Sequence, residues 1–301
     1  MRISASISPI WRKYPLEEIE IYQQFKECGF DYAGYDFIAA NARNGWQSDN
    51  WQAWASDFRK KMDEIGVTPV IAHVTRVNPF DGEEAVRQVE RAVQCASRMG
   101  IEQLVVPLGM TANNTRRQYE TGNQGYLRRV LRAAEDENMT LLIEHAGGWH
   151  MPNYMHYAME LNRMMEKLGM PEKLKVNLSI ANMGMTDMNP YPDIRVLGSA
   201  IQNVDASDNF GSMALAVAPE RENLGFAPLM GYIDYDQVMQ GLCDVGYSGF
   251  FNLRLNMPRV FEKPSKDAPL AIMPQHLTKR LLAWSRRVTE SVLKAYDCLD
   301  Q

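Results

Sequence analysis

The sequence predicts a single (β/α)8 TIM barrel spanning residues 1–301, on three observations. Eight apolar, β-rich runs alternate with amphipathic stretches of helical period, the order a parallel α/β sheet requires. Several helices stop at a glycine just before the next strand (Gly29, Gly66, Gly100, Gly246), where a left-handed cap is easiest. No glycine-rich phosphate loop follows the first strand, which counts against the rival open doubly wound sheet.

The strands are expected at residues 2–7, 32–37, 68–72, 103–107, 140–144, 174–179, 200–205 and 249–254. Helices are expected at 16–28, 50–65, 83–99, 118–137, 153–168, 187–197, 235–245 and 275–298. The third helix illustrates the pattern: Val86, Val89, Val93 and Ala96 recur at the spacing of one helical face. Eight units of this length are what a closed barrel needs, and no repeat, low-complexity tract or Pro/Ser linker divides the chain. The longest irregular pieces, residues 38–48, 209–231 and 257–274, all follow strands, where loops carry function.

Bulk properties narrow the function. With 46% hydrophobic and 23% charged residues, the composition is that of a soluble globular protein. A net charge of −5 with scattered basic residues speaks against nucleic-acid binding. No apolar run approaches the roughly 18 residues a membrane span needs. The N-terminus reads as a first strand rather than a signal peptide. The four cysteines are far apart in sequence and form no Cys-x-x-Cys, so reduced thiols and a cytoplasmic location are expected.

Ligands of such barrels bind at the carboxyl ends of the strands, so polar residues there are the candidates. His73 ends the third strand. Glu144 and His145 end the fifth, with Trp149 on the loop beyond. Ser179 and Asn182 end the sixth, Asp205 and Asp208 the seventh, and Arg254 the last. Glu144 could exchange protons with a ligand or simply pair with Arg254. Arg254 could polarise a carbonyl or bind an anion, with the same ion pair as the plain alternative. Ser179 sits in no nucleophile elbow and is expected to hydrogen-bond a ligand. Asn182 and His73 are read as holding hydroxyls, and Asp208 as structural. His150 is a rim residue and His156 a helix-surface one. Trp11, Trp46 and Trp149 are either a sugar-stacking platform or loop packing. Methionines in 151–170 are read as gap-fillers, and the Arg116-Arg117 and Arg128-Arg129 pairs as solvated helix faces.

Taken in order, the strand endings resemble the xylose isomerase-like TIM barrels, a superfamily of sugar-phosphate isomerases and epimerases. Glu144 in Leu-Leu-Ile-Glu-His matches that family's fifth-strand glutamate. Val176-Asn-Leu-Ser-Ile-Ala-Asn182 is similar to its "VNLDPAN" strand, and Val204-Asp-Ala-Ser-Asp-Asn209 to "VHxKDN". Gly231-Tyr-Ile-Asp-Tyr235 and Gly246-Tyr-Ser-Gly-Phe-Phe-Asn-Leu-Arg254 follow its "GxIDY" and "GYxGxxxxE" segments. The resemblance implies one divalent ion held by Glu, Asp, His and Glu, with the glutamates moving the proton. Only Glu144 keeps its type. Ser179 stands at the Asp position, Asp205 at the His position and Arg254 at the second Glu position.

Glu144, Asp205 and an Arg254 guanidinium carry the same total charge as the family's ligands with their ion. No cofactor is therefore expected, with Arg254 standing electrostatically in the metal's place. The alternative is Mn²⁺ or Mg²⁺ on Glu144 and Asp205. The chain is expected to act on a small-molecule carbohydrate by proton transfer next to a carbonyl, with Glu144 and Arg254 catalytic. His73, His145, Trp149, Ser179, Asn182 and Asp205 are expected to bind substrate. A catalytically silent sugar-binding barrel, or a non-catalytic subunit of a larger assembly, is the alternative. No nucleic-acid or membrane partner is expected, and a homo-oligomer is open.

Overall fold

The structure, a computed structural model, describes residues 1–6, 18–38, 45–111, 113–145, 154–186, 189–211, 224–255 and 275–300. In chain order these form β1 (Arg2–Ser6), α1 (Glu18–Glu27), β2 (Tyr32–Ile38), α2 (Trp51–Ile65), β3 (Thr68–Thr75) and α3 (Glu83–Arg98). Then come β4 (Gln103–Val105), α4 (Arg116–Asp136), β5 (Thr140–Glu144), α5 (Ala158–Lys167), β6 (Leu174–Ser179), α6 (Ile180–Met185) and α7 (Pro190–Leu197). The described chain ends with β7 (Ile201–Ala206), β8 (Asp208–Asn209), β9 (Leu224–Phe226), α8 (Tyr235–Asp244), β10 (Phe250–Leu253) and α9 (Gln275–Ala295).

Eight strands close into a parallel barrel in the order β1-β10-β7-β6-β5-β4-β3-β2. β8 and β9 form a separate two-stranded antiparallel sheet. This is the α/β barrel the sequence predicts. Helix faces are cut as the patterns require. Val89, Ala92, Val93 and Ala96 of α3 are buried, and each large aliphatic side chain so buried stabilises by about 1.5–3 kcal/mol. The Thr115 hydroxyl accepts from the Gln118 N–H and the Gln118 side chain accepts from the Thr115 N–H, a reciprocal cap that starts α4. Gly66 ends α2 with φ +66°.

Of the places where the structure departs from the sequence expectations, three bear on the site. The expected helix at 153–168 begins only at Ala158, where the Glu160 carboxylate accepts from the His156 and Tyr157 N–H groups and closes the turn. The short α6 follows β6 directly, in the stretch between 179 and 187 where no helix is expected. β3 runs to Thr75, so His73 lies inside the strand and not at its end.

Strand alternation sorts the residues between two buried surfaces. One faces the helices and the other the barrel interior. Ile71, Val105 and Leu142 form an apolar cluster of their own, apart from the main core. Gly34 is required in this crowded interior: a Cβ there would stand 2.0 Å from Ser6 Oγ and 3.2 Å from Ile71 Cγ2. The register levels the site residues. Asp36 lies beside His73, Glu144 beside Asn177, and Asp205 between Ser179 and Asn252.

Candidate functional site

Polar residues two apart on consecutive strands build a hydrogen-bonded wall inside the barrel. Ser4 and Ser6 come from β1, Asn177 from β6, Asn203 and Asp205 from β7, and Asn252 from β10. The Ser4 hydroxyl donates to Asn252 Oδ1 (3.0 Å), and Asn252 Nδ2 donates to Ser6 Oγ (2.9 Å) and to Asp205 Oδ1 (2.7 Å). Asn203 Nδ2 donates to Asn177 Oδ1 (2.6 Å) and Asp205 Oδ1 (3.0 Å). Asn177 Nδ2 spans Asp205 Oδ2 (2.9 Å) and Glu144 Oε2.

Asp205 is the hub. Besides the three asparagines, His73 Nε2 lies 2.8 Å from its Oδ2 across the mouth, and Arg254 donates to the same oxygen at 3.3 Å. A carboxylate offers about four lone-pair directions, and here five groups converge on it. Burial alone would raise its pKa, but His73, Arg254 and Asn252 hold the carboxyl well below the usual range. Asp205 is a fixed anion. Glu144 tends the other way: burial, reinforced by the nearby Asp205 charge, raises it against the pull of Arg254, His73 and Asn177. Its Oε1 accepts from Asn182 Nδ2 at 2.8 Å. Two carboxyls at one mouth are thus driven apart, the pattern that separates acid–base groups from electrostatic ones.

Arg254 faces the mouth. Its guanidinium bridges Asp205 Oδ2 and Asp36 Oδ1, each at 3.3 Å, with the side chain 24% exposed. Burial would lower its pKa, yet Asp36, Asp205 and Glu144 together raise it, so it stays charged. Its direct partners are two aspartates, and its link to Glu144 is through space. The expected position of Arg254 between Glu144 and Asp205 is therefore corrected. Asp36, on the inward face of β2, claims the second half of the guanidinium.

A cavity of about 230 Å³ opens here. Thr75, His73, Glu144, His145 and Arg254 line it together with Val105, Val106, Pro107, Leu108, Met110 and Tyr119. Burial pushes the His145 imidazole down to about 4, against the Ser179 backbone, so it is neutral at pH 7. Of the residues singled out in the sequence, His73, Glu144, His145, Asn182, Asp205 and Arg254 converge at this mouth. Both Asn182 amide hydrogens go to Glu144 and the His145 carbonyl (3.1 Å), which makes it a holder of Glu144. Ser179 is buried beside Asp205 in register. Trp11, Trp149 and His150 lie outside the described residues. Trp46 is fully buried and packs edge-on against Phe37 at 5.3 Å, so it is loop packing.

Asp208 accepts from the N–H groups of Asn209, Gly231 and Ile233 at 2.8, 2.9 and 3.2 Å, the structural role expected. Arg129 is more than a solvated face, since it bridges α4 to Glu83 and Glu90 of α3. The residues that sequence reading passed over are Asp36, Asn177, Asn203 and Asn252. A signal was available for the asparagines. Asn203 precedes Asp205 by two, and Asn252 precedes Arg254 by two, so each shares its neighbour's face.

A family model for the xylose isomerase-like TIM barrel matches residues 22–287. The chain belongs to this family. No curated protein sequence matches the chain. Among solved structures it is similar to a D-tagatose 3-epimerase-like protein, with 17% identity and a TM-score of 0.71, covering 99% of this chain and 98% of that one. A D-psicose 3-epimerase determined in the presence of D-fructose matches with 13% identity and a TM-score of 0.73, covering 97% of this chain and 99% of that one. The IOLI protein, described with a binding zinc atom, matches with 12% identity and a TM-score of 0.74, covering 98% and 99%.

The expectation of a site without metal is overturned. His73, Glu144 and Asp205 each offer a ligand atom, and these atoms all lie within 4.8 Å of one another; a zinc atom is described in the similar IOLI barrel. Two carboxylate oxygens and an imidazole suit a divalent ion. The charge count fails for a physical reason. Arg254 is matched against Asp36 as well as Asp205, so three carboxyls face one guanidinium, and room for a divalent positive charge remains. The imidazole also comes from an unexpected strand, because β3 stands across the mouth from β7.

Proposed function

We propose that this protein is a sugar isomerase or epimerase-like enzyme that moves a proton on the carbon next to a carbonyl. The observation that carries the reading is Glu144: a carboxyl aimed by Asn177 and Asn182, seated on a small cavity beside a carboxyl locked as an anion. A carboxylate held in one orientation within reach of the ligand is what deprotonation of a carbon needs. The cavity is smaller than the roughly 300–1,000 Å³ of drug-sized sites, in keeping with a monosaccharide-sized ligand. The similar barrels named for epimerases of D-tagatose and D-psicose point to a ketose or a related sugar.

His73, Glu144 and Asp205 would hold the divalent ion. Bound there, the ion supplies Lewis-acid polarisation of a substrate oxygen. Asn177 and Asn182 fix the Glu144 carboxyl by one oxygen each, which aims it. Glu144 takes the proton from the carbon and returns it to the neighbouring carbon, or to the same one. Arg254 keeps its charge and supplies a positive field to the oxygen that becomes negative on proton loss. It does not donate a proton, so the second face of the substrate has no carboxylic acid at the Arg254 position. Isomerisation or elimination on one face is the easier chemistry.

Solvent exchange tests this. Candidate ketoses and sugar acids incubated in D₂O with Mn²⁺ should acquire deuterium at the carbon next to the carbonyl, and Glu144→Gln should abolish this while ligand still binds. Exchange that persists in the variant would assign the base elsewhere. A ligand that binds without any exchange would favour the second reading, a catalytically silent sugar-binding barrel. The Arg254–Asp36–Asp205 ion pairs at the mouth support that reading.

A further inference from the structure

Two thiols meet between the ends of α8 and α9, beside the start of β1 and away from the strand ends that carry the mouth residues. Cys243 lies in the last turn of α8 and Cys298 just beyond α9, 55 positions later, with their Sγ atoms 2.7 Å apart. Backbone structure fixes both. The Cys298 N–H reaches the Leu293 carbonyl (2.9 Å) and the Asp297 N–H reaches the Lys294 carbonyl (3.1 Å), with Asp297 at φ +53°. These crossed bonds are a Schellman cap on α9. The Cys298 thiol also donates to the Tyr296 carbonyl at 3.1 Å, and the Met1 ammonium pairs with Asp300 at 2.7 Å. On the other side, Met239 and Leu242 anchor α8 in the core.

We propose that Cys243 and Cys298 are a covalent modification site that closes to a disulfide by exchange with a small-molecule disulfide of the glutathione class. Cys298, as thiolate, attacks one sulfur of the oxidant and releases the first small thiol, leaving a mixed disulfide. Cys243 then gives its proton to solvent, attacks the Cys298 sulfur and releases the second. Two protein thiols and one small disulfide become one protein disulfide and two small thiols. Cys243 sits within the last turn of α8 whereas Cys298 lies beyond the end of α9, so the first attack falls to Cys298; burial, with the neighbouring Cys298, pushes the Cys243 thiol up to about 12. The sulfurs need to approach by a further ~0.6 Å to reach bonding distance. Cys28, bonded to the Lys279 carbonyl at 3.5 Å, and the core residue Cys95 are internal controls.

The test uses the full chain, oxidised with glutathione disulfide, quenched by alkylation and mapped by mass spectrometry. Free thiols in denaturant should fall from four to two, with a peptide linking Cys243 to Cys298 and no retained glutathione. Closing a loop of this length should raise Tm by about 7 °C, reversibly with dithiothreitol. Cys243→Ser should stop at one glutathione on Cys298, and Cys298→Ser should show neither the link nor the Tm rise. Four thiols persisting after oxidation, or glutathione retained on the wild-type chain without a linked peptide, overturns the proposal.

Discussion

Replacing Arg254 with glutamine removes the one guanidinium that bridges Asp36 and Asp205. Breaking a buried ion pair costs about 3–5 kcal/mol because the orphaned charge stays behind. The lower end applies here, since Arg254 is 24% exposed and both contacts are 3.3 Å long. A loss of about 3 kcal/mol, with an unfolding entropy of about 2.1 cal/mol/K per residue over 301 residues, lowers Tm by about 5 °C. The pH dependence has a definite sign. Asp205 is depressed when folded, so its stabilisation is present above the unfolded value of about 4 and is lost as pH falls toward the folded one. The deficit of the variant is therefore full at pH 7 and shrinks below about pH 4. Removing a positive charge also favours a cation at the same mouth, so Mn²⁺ should raise Tm more in the variant than in the wild type. Melting curves in chelator at pH 7 and pH 2.5, and in Mn²⁺ at pH 7, supply all three numbers. An unchanged Tm in chelator, or weaker Mn²⁺ stabilisation in the variant, would refute the charge argument.

Other outcomes follow from single contacts. His73→Ala should weaken Mn²⁺ binding by at least about tenfold, read by calorimetric titration, because it removes one of three donors. Gly34→Ala should cost about 2 kcal/mol in chemical denaturation, since its Cβ must push aside Ser6 Oγ at 2.0 Å. Ser6→Gly in the same chain should recover part of that loss. Asp208→Ala strands three backbone N–H groups and should cost about 3 kcal/mol, with faster amide exchange at Gly231 and Ile233.

The barrel was legible because strand and helix periods differ so plainly: β5 and β6 fall where the apolar runs end, and α2 stops at Gly66. Boundaries slipped where a side chain overrode the pattern, as at Glu160, whose carboxylate starts α5 five residues late. Within the site, Glu144, Asp205 and Arg254 could be found because they end strands. Asp36 could not, since it lies between two aromatic residues in a fully buried strand with no polar run to mark it. Its omission was enough to reverse the charge count and with it the expectation about metal. The convergence of β3 on β7 was equally hidden, because contact across a closed barrel depends on curvature that no local pattern encodes.

The cavity lining has a further consequence. Val105, Val106, Pro107 and Leu108 follow one another along a single edge, whereas Arg254 follows β10 on the opposite side of the barrel, with Glu144 on β5 next to the apolar edge. A small polyol lodged between them has one greasy flank and one wet flank to satisfy. Two sugars differing only in which rim bears a hydroxyl would therefore dock with unequal ease, and handedness would be sensed before any bond is broken.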